Sequence, residues 1–352
     1  MHEWIFVGCY TGESGGEGQG IALLRRDPAT GALTRLGVVA RTPSPSFLAQ
    51  HPARPVLYAV NELDSGTVSA FSVAEDGTLT ELAVQPTGGR HPCHLAVSAD
   101  HRHLLVANYG SGSVSVHPLD ADGAPRQHSD LLDLSGNGPV AERQAGPHAH
   151  MVAPGPNDRD VLICDLGADR VWRSRLDPLS SRLAPPDPAV AAAPGTGPRY
   201  LRRSADGSLL VVGELAASLS WYRAGGADGA LHQAGVVAAS TTGAQNLPSA
   251  LVMGSDGRFV YVGNRGPDTV STFAWNGVKA ELIAEVPAGG AWPRHLALLG
   301  DHLYVANERS HTVTTFRIEP DTGLPRPQGE PTGEPSPTCL LRWFRAIGDR
   351  RP

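Results

Sequence analysis

The chain has 352 residues, with 29 Lys and Arg against 35 Asp and Glu, a formal net charge of −6 and 41% hydrophobic residues. That acidic balance argues against nucleic acid, because tracking phosphates needs a basic surface. The 41 glycines and 30 prolines suit a chain of many short strands joined by turns.

From the N-terminus, MHEWIFVGCYTG shows neither a basic segment nor a long apolar stretch, so no signal peptide is expected. No run approaches the roughly 20 apolar residues of a membrane span, and a cytoplasmic location is expected. The glycine-rich loop 12–20 (GESGGEGQG) leads into a strand and lacks the GK[ST] ending, which argues against a phosphate loop. Cys9, Cys93, Cys164 and Cys339 are widely spaced and form no CxxC. They read as buried thiols in a reducing compartment, and neither a metal site nor a cofactor is expected.

From residue 45 onward one unit recurs: a proline, a short strand, a polar turn, a second strand ending in a small polar or acidic residue, and a third strand. It begins at Pro45, Pro92, Pro147, Pro198, Pro248 and Pro293, with successive starts 44 to 55 residues apart as far as Pro337. A period of that size with three or four strands per unit belongs to propeller blades. The unit at Pro337 has only its first strand (PTCLLRWF), whereas IFVGCYTG and IALLRRD near the N-terminus match second and third strands. The expected fold is therefore all-β, a seven-bladed β-propeller forming one domain over 1–344. Its C-terminal strand closes the ring on the N-terminal blade, removing exposed sheet edges. Residues 345–352 (RAIGDRRP) read as a loose tail.

Two positions break the repeat. After the starting proline come Ser46, Cys93, His148, Arg199, Ser249, Arg294 and Thr338. Small residues suit a narrow axis, so His148, Arg199 and Arg294 stand out at one end of the channel, where a cation needs solvent or an anion. The second position, closing the second strand, reads Cys9, Asn61, Asn108, Asp165, Glu214, Asn264 and Asn307. Asn suits a turn-capping role there. Glu214 is the outlier, either an ion-paired structural carboxylate or one that activates water beside arginines.

His148 is the candidate acid or base, since imidazole titrates near neutrality. His150 takes a slot that holds Leu in other units and reads as a hydrogen-bonded histidine near the substrate. The longest insertion, 135–150, carries Arg143 and Gln144, which either close over a substrate or face solvent. Asp165 and Arg265, at or beside the ends of second strands, complete the candidate substrate-binding set with His150 and Arg143.

The runs VGCYTG, PSFLA…LYAVNE, PCHLAVSAD…LLVANYGSGSVSV and GNGP…ERQAGPHAH resemble the propeller-fold lactonases, which include 6-phosphogluconolactonases and carboxymuconate lactonising enzymes. The resemblance implies a cofactor-independent seven-bladed propeller. It also implies a site of one histidine, one glutamate and two arginines, matching His148 (or His150), Glu214, Arg199 and Arg294. The expected activity is hydrolysis of a small anionic lactone, with Arg199 and Arg294 holding the anion or oxyanion and Glu214 or His148 activating water. The alternatives are a lactonising cyclase or isomerase, or a non-catalytic propeller that binds a ligand or a protein. The expected partner is a small anionic lactone or acid, with no nucleic acid or membrane partner, on a monomer or weak homo-oligomer.

Overall fold

The computed structural model describes residues 3–155, 159–225 and 230–344; the tail expected at 345–352 lies outside them. The repeats fold into seven antiparallel sheets, each a blade of four or five strands. The first strands of successive units touch one another around the axis in an unbroken ring. Helix among the described residues is confined to one turn at Ala141–Gln144 and a 3-10 turn at Gly12–Ser14.

Ring closure follows the expectation. Glu3–Cys9 pairs on one side with Ile21–Arg26 and on the other with Pro337–Trp343, so the first and last strands share a blade. Phe6 meets Trp343 edge to face at 5.6 Å across that seam, a geometry favoured by the ring quadrupoles.

A blade exposes two apolar faces and must bury both against its neighbours. Accordingly the described residues form seven apolar clusters, one at each blade-to-blade junction. Second strands such as Val56–Asn61 and His302–Asn307 are buried along their whole length. Their tyrosines still find acceptors: Tyr58, Tyr261 and Tyr304 donate to the carbonyls of Gly123, Gly323 and Gly31 at 2.7, 2.9 and 2.8 Å, tying each blade to a turn of the next.

Two register details differ from the repeat read in sequence. Pro92, Pro198 and Pro293 pair with Asn108, Gly213 and Asn307, but in the third of the proline-started blades Ala149, not Pro147, pairs with the corresponding Asp165. That inner strand starts two residues later than its proline suggests. His150 therefore occupies the slot of Cys93, Arg199 and Arg294, and Val152, opposite Ile163, takes the leucine slot. The other correction is one residue long. Gly213 faces Ser218 as Asn61 faces Thr67, so Glu214 lies one position beyond the turn-capping asparagines. A Cβ on Gly213 would stand 2.7 Å from Thr196 Cγ2 and 2.8 Å from Ser218 Oγ. Neighbouring side chains fill that space and leave no room for an asparagine.

Candidate active site at the channel mouth

With the registers corrected, two concentric rings form at one end of the channel. The inner ring has one residue per blade: Ser46, Cys93, His150, Arg199, Ser249, Arg294 and Thr338. The outer ring is Tyr10, Glu62, Tyr109, Leu166, Glu214, Arg265 and Glu308. Six of its members donate their backbone N–H to the carbonyl of the residue preceding an inner strand, at 2.9 to 3.1 Å, and Arg265 pairs in register with the equivalent Leu247. In five blades that preceding residue has positive φ: Ser44 (40°), His91 (47°), Gly197 (61°), Trp292 (64°) and Ser336 (46°). Left-handed backbone is costly for all but glycine, and such turns concentrate where a side chain must be aimed.

The centre of one arc is the carboxylate of Glu214, 2% exposed. Arg143 Nη2 donates to its Oε1 at 2.7 Å, while Arg199 Nη1 and Arg265 Nη2 donate to Oε2 at 2.5 and 2.7 Å. Each guanidinium is fixed by a further acceptor. Arg199 Nε donates to Ser249 O at 3.1 Å, Arg265 Nε to Leu247 O at 2.8 Å, and Arg143 Nη2 to Tyr109 Oη at 3.2 Å. Arg199 Nη1 also reaches His150 Nε2 at 2.5 Å. A guanidinium can only donate, so Nε2 accepts and the His150 proton sits on Nδ1, facing Cys93 Sγ at 3.8 Å.

Electrostatics fix the charge states. Burial pushes Glu214 up, but Arg265, Arg199 and Arg143 outweigh it and hold the carboxyl well below its ordinary value. Burial, reinforced by Arg199, holds His150 well below 6.5, a neutral imidazole at neutral pH. Burial lowers Arg265 to about 9, still a cation. The Cys93 thiol is pushed up by burial and stays protonated.

Across the mouth lies a second cluster. Arg294 Nη1 donates to Glu308 Oε2 at 3.1 Å, its Nη2 donates to Tyr10 Oη, and Glu62 Oε2 is 3.8 Å away. Arg294 also stacks on the Tyr10 ring at 4.6 Å. Inside the inner ring the channel holds a cavity of about 30 Å³, lined in part by Phe47, Cys93, His150, Arg199, Tyr200 and Arg294, enough for one or two waters.

The structure thus brings together Glu214, Arg199, Arg143, Arg265 and His150, and puts Arg294 on the opposite arc. His148 lies outside the rings: it stacks on Tyr109 at 4.5 Å, and its Nδ1–H donates to Tyr109 O at 2.9 Å. Asp165 is turned into its own blade. Its Oδ1 accepts from the N–H groups of His148, Gly167 and Ala168 at 2.8, 3.0 and 3.1 Å, and its Oδ2 from Trp172 Nε1 at 2.9 Å. Gln144 is buried, donating to Leu166 O and Asp169 Oδ1 at 2.9 and 2.8 Å, and so anchors the insertion that delivers Arg143. Sequence reasoning missed Tyr10, Glu62, Tyr109 and Glu308. All four follow the residue that closes a second strand, and the dipeptide Asn-Glu occurs there twice, at 61–62 and 307–308.

Among the described residues no three His, Cys, Asp or Glu side chains converge as a metal-binding group. None of the described helices is long and apolar enough to cross a membrane.

The family profile described as "Lactonase, 7-bladed beta-propeller" matches residues 4–342. The 6-phosphogluconolactonase of Bacillus subtilis is 30% identical over 95% of this chain and 97% of its own length. A 6-phosphogluconolactonase of Formosa agariphila is 28% identical over 91% of this chain and 93% of its own. Among solved structures, the periplasmic gluconolactonase of Pseudomonas aeruginosa superposes with a TM-score of 0.89 at 30% identity, covering 97% of this chain and 99% of that one. A putative 6-phosphogluconolactonase of Bacteroides fragilis gives 0.89 at 30% identity over 97% and 98%. Sequence, blade count and closure agree: the chain belongs to the seven-bladed β-propeller lactonase family.

Proposed function

We propose that the chain hydrolyses a small anionic lactone, a sugar-phosphate or carboxylated one, at this channel mouth. The observation that carries the reading is the charge count around Glu214: three guanidiniums face one carboxylate beside a neutral imidazole. The two cations in excess, in a protein of net charge −6, suit an anionic substrate and the oxyanion formed as a lactone carbonyl is attacked. The names of the curated relatives point to the same reaction class.

In this reading Glu214 stays ionised and holds the guanidiniums in place. His150, which the register puts in the inner ring, is the acid–base group. Once a substrate engages Arg199, the lone pair on Nε2 is free to take a proton from water. The hydroxide adds to the lactone carbonyl, and the oxyanion is held by Arg199 and Arg265. The ring C–O bond then breaks, and the departing alkoxide takes the proton back from His150. Water is consumed and an open-chain hydroxy acid leaves.

The test is turnover of gluconolactone and its 6-phosphate above the spontaneous rate, in water enriched in heavy oxygen. Hydrolysis puts one solvent oxygen into the product carboxylate per turnover. A cyclase or isomerase puts in none, and a rate equal to the spontaneous one for both lactones overturns the proposal.

A further inference from the structure

The two arcs of the mouth carry opposite charge. On the Glu214 side there are two cations in excess. On the other side Arg294 is shared by Glu308 at 3.1 Å and Glu62 at 3.8 Å, which leaves one negative charge in excess among these three groups. These carboxylates are not solvated surface groups, since both side chains are 17% exposed. Glu62 Oε2 is buried and accepts no hydrogen bond. A buried carboxylate oxygen without a donor is costly, and such a group in a native structure calls for an explanation. Tyr10, with its ring under Arg294, fixes that guanidinium.

We propose that Glu62 and Glu308, oriented by Arg294, are the hydroxyl-reading half of the site. They accept hydrogen bonds from a polyhydroxylated substrate whose anionic or carbonyl end lies against Arg199 and Arg265. The argument is one of chemistry and position. An ionised carboxylate can only accept, so its complement is a donor. A cationic partner is excluded by Arg294, which already occupies the space between the two carboxylates, so the complement is a neutral donor such as a sugar hydroxyl. Both glutamates lie in the outer ring, as Glu214 and Arg265 do, and all four are presented at the same end of the channel by equivalent turns. Hydroxyl-bearing carbons beyond the carbonyl supply such donors, whereas a bare aliphatic lactone leaves Glu62 Oε2 without one. Sites built to bond a hydroxyl reject analogues that lack it far more strongly than apolar sites reject an extra group.

This assignment rests on the lactonase reading for its carbonyl end, so it is tested by binding rather than turnover. Gluconate and hexanoate are six-carbon carboxylates that differ only in hydroxyls, and their affinities are measured by calorimetry on the full chain and on Glu62→Gln and Glu308→Gln. The wild type binds gluconate at least tenfold more tightly than hexanoate, and each substitution cuts that ratio by about tenfold, the weight of a hydrogen bond to a charged group. Equal affinities in the wild type, no binding of either acid, or an unchanged ratio in both variants overturns the proposal. If Glu62→Gln fails to fold, Glu308→Gln decides alone. A protein that prefers gluconate yet turns over no lactone refutes the hydrolytic reading and leaves the hydroxyl-reading assignment standing.

Discussion

Replacing Glu214 by Gln keeps the shape of the side chain and removes the charge that three arginines share. Removing one member of a buried ion pair costs about 3–5 kcal/mol, because the partner stays buried and uncompensated. Arg199 and Arg265 are 9% and 6% exposed at the side chain against 2% for Glu214, so the upper part of that range applies. Arg143, at 36%, is screened by solvent and adds at most about 1 kcal/mol. At about 2 °C per kcal/mol for a large domain, the melting temperature falls by about 8–10 °C. The loss depends on pH in a fixed direction. The folded-state pKa of Glu214 is depressed, so its stabilisation is fully present above the ordinary carboxyl value of about 4.5 and is lost as pH falls through the folded value. The gap in stability between wild type and Glu214→Gln is therefore constant from about pH 7 to 5 and shrinks below that. Scanning calorimetry from pH 7 to 3.5 reads both effects, and turnover falls by about 10²-fold as the guanidiniums lose their common anchor. A melting shift under about 2 °C at pH 7, or a gap that does not narrow in acid, would refute the account of the cluster.

If His150 is the proton acceptor, its depressed pKa keeps it neutral below pH 6.5; kcat/KM stays level from pH 7.5 to 6, and an acid limb centred at 6.5 contradicts the assignment. Asp165→Asn removes part of a carboxylate that accepts four donors. It lowers stability by about 1–3 kcal/mol in a urea melt, whereas a raised KM would return Asp165 to the substrate. Ending the chain at Ser336 removes Cys339, Leu340 and Trp343 from the core. At about 1.5–3 kcal/mol per large apolar side chain, with an inner strand lost as well, that approaches the whole stability of a domain. The shortened chain is soluble only as unfolded or aggregated material by circular dichroism and size exclusion.

The ring, its blade count and its closure were legible because each blade buries the same two faces and must repeat the same apolar spacing. Arg199 and Glu214 were legible for the opposite reason, as charges where the repeat is otherwise small or amide-bearing. What sequence hid was register. Proline marks the start of an inner strand in most units, but at 147–150 the strand starts on Ala149 and the proline stands two residues early, so His148 was set in the place that His150 fills. Glu214 was aligned with asparagines because it is polar. The residue equivalent to them is Gly213, whose side-chain space belongs to Thr196 and Ser218. Once that slip is removed, Glu62, Tyr109, Arg265 and Glu308 fall into line with Glu214. The pairing of Arg143 with Glu214 spans 71 residues and depends on Gln144 anchoring the loop, which no local pattern encodes.

The shared blade also sets a schedule for synthesis. The strand Glu3–Cys9 is made long before its inner partner, Pro337–Trp343. At about 5–20 residues per second, the ribosome leaves that edge unpaired for on the order of tens of seconds. Through that interval a fully apolar stretch, Ile5–Val7, presents free backbone donors and acceptors to any passing strand. The nascent chain is thus open to mispairing along that edge, and Pro337–Trp343 acts as the latch that ends the exposure.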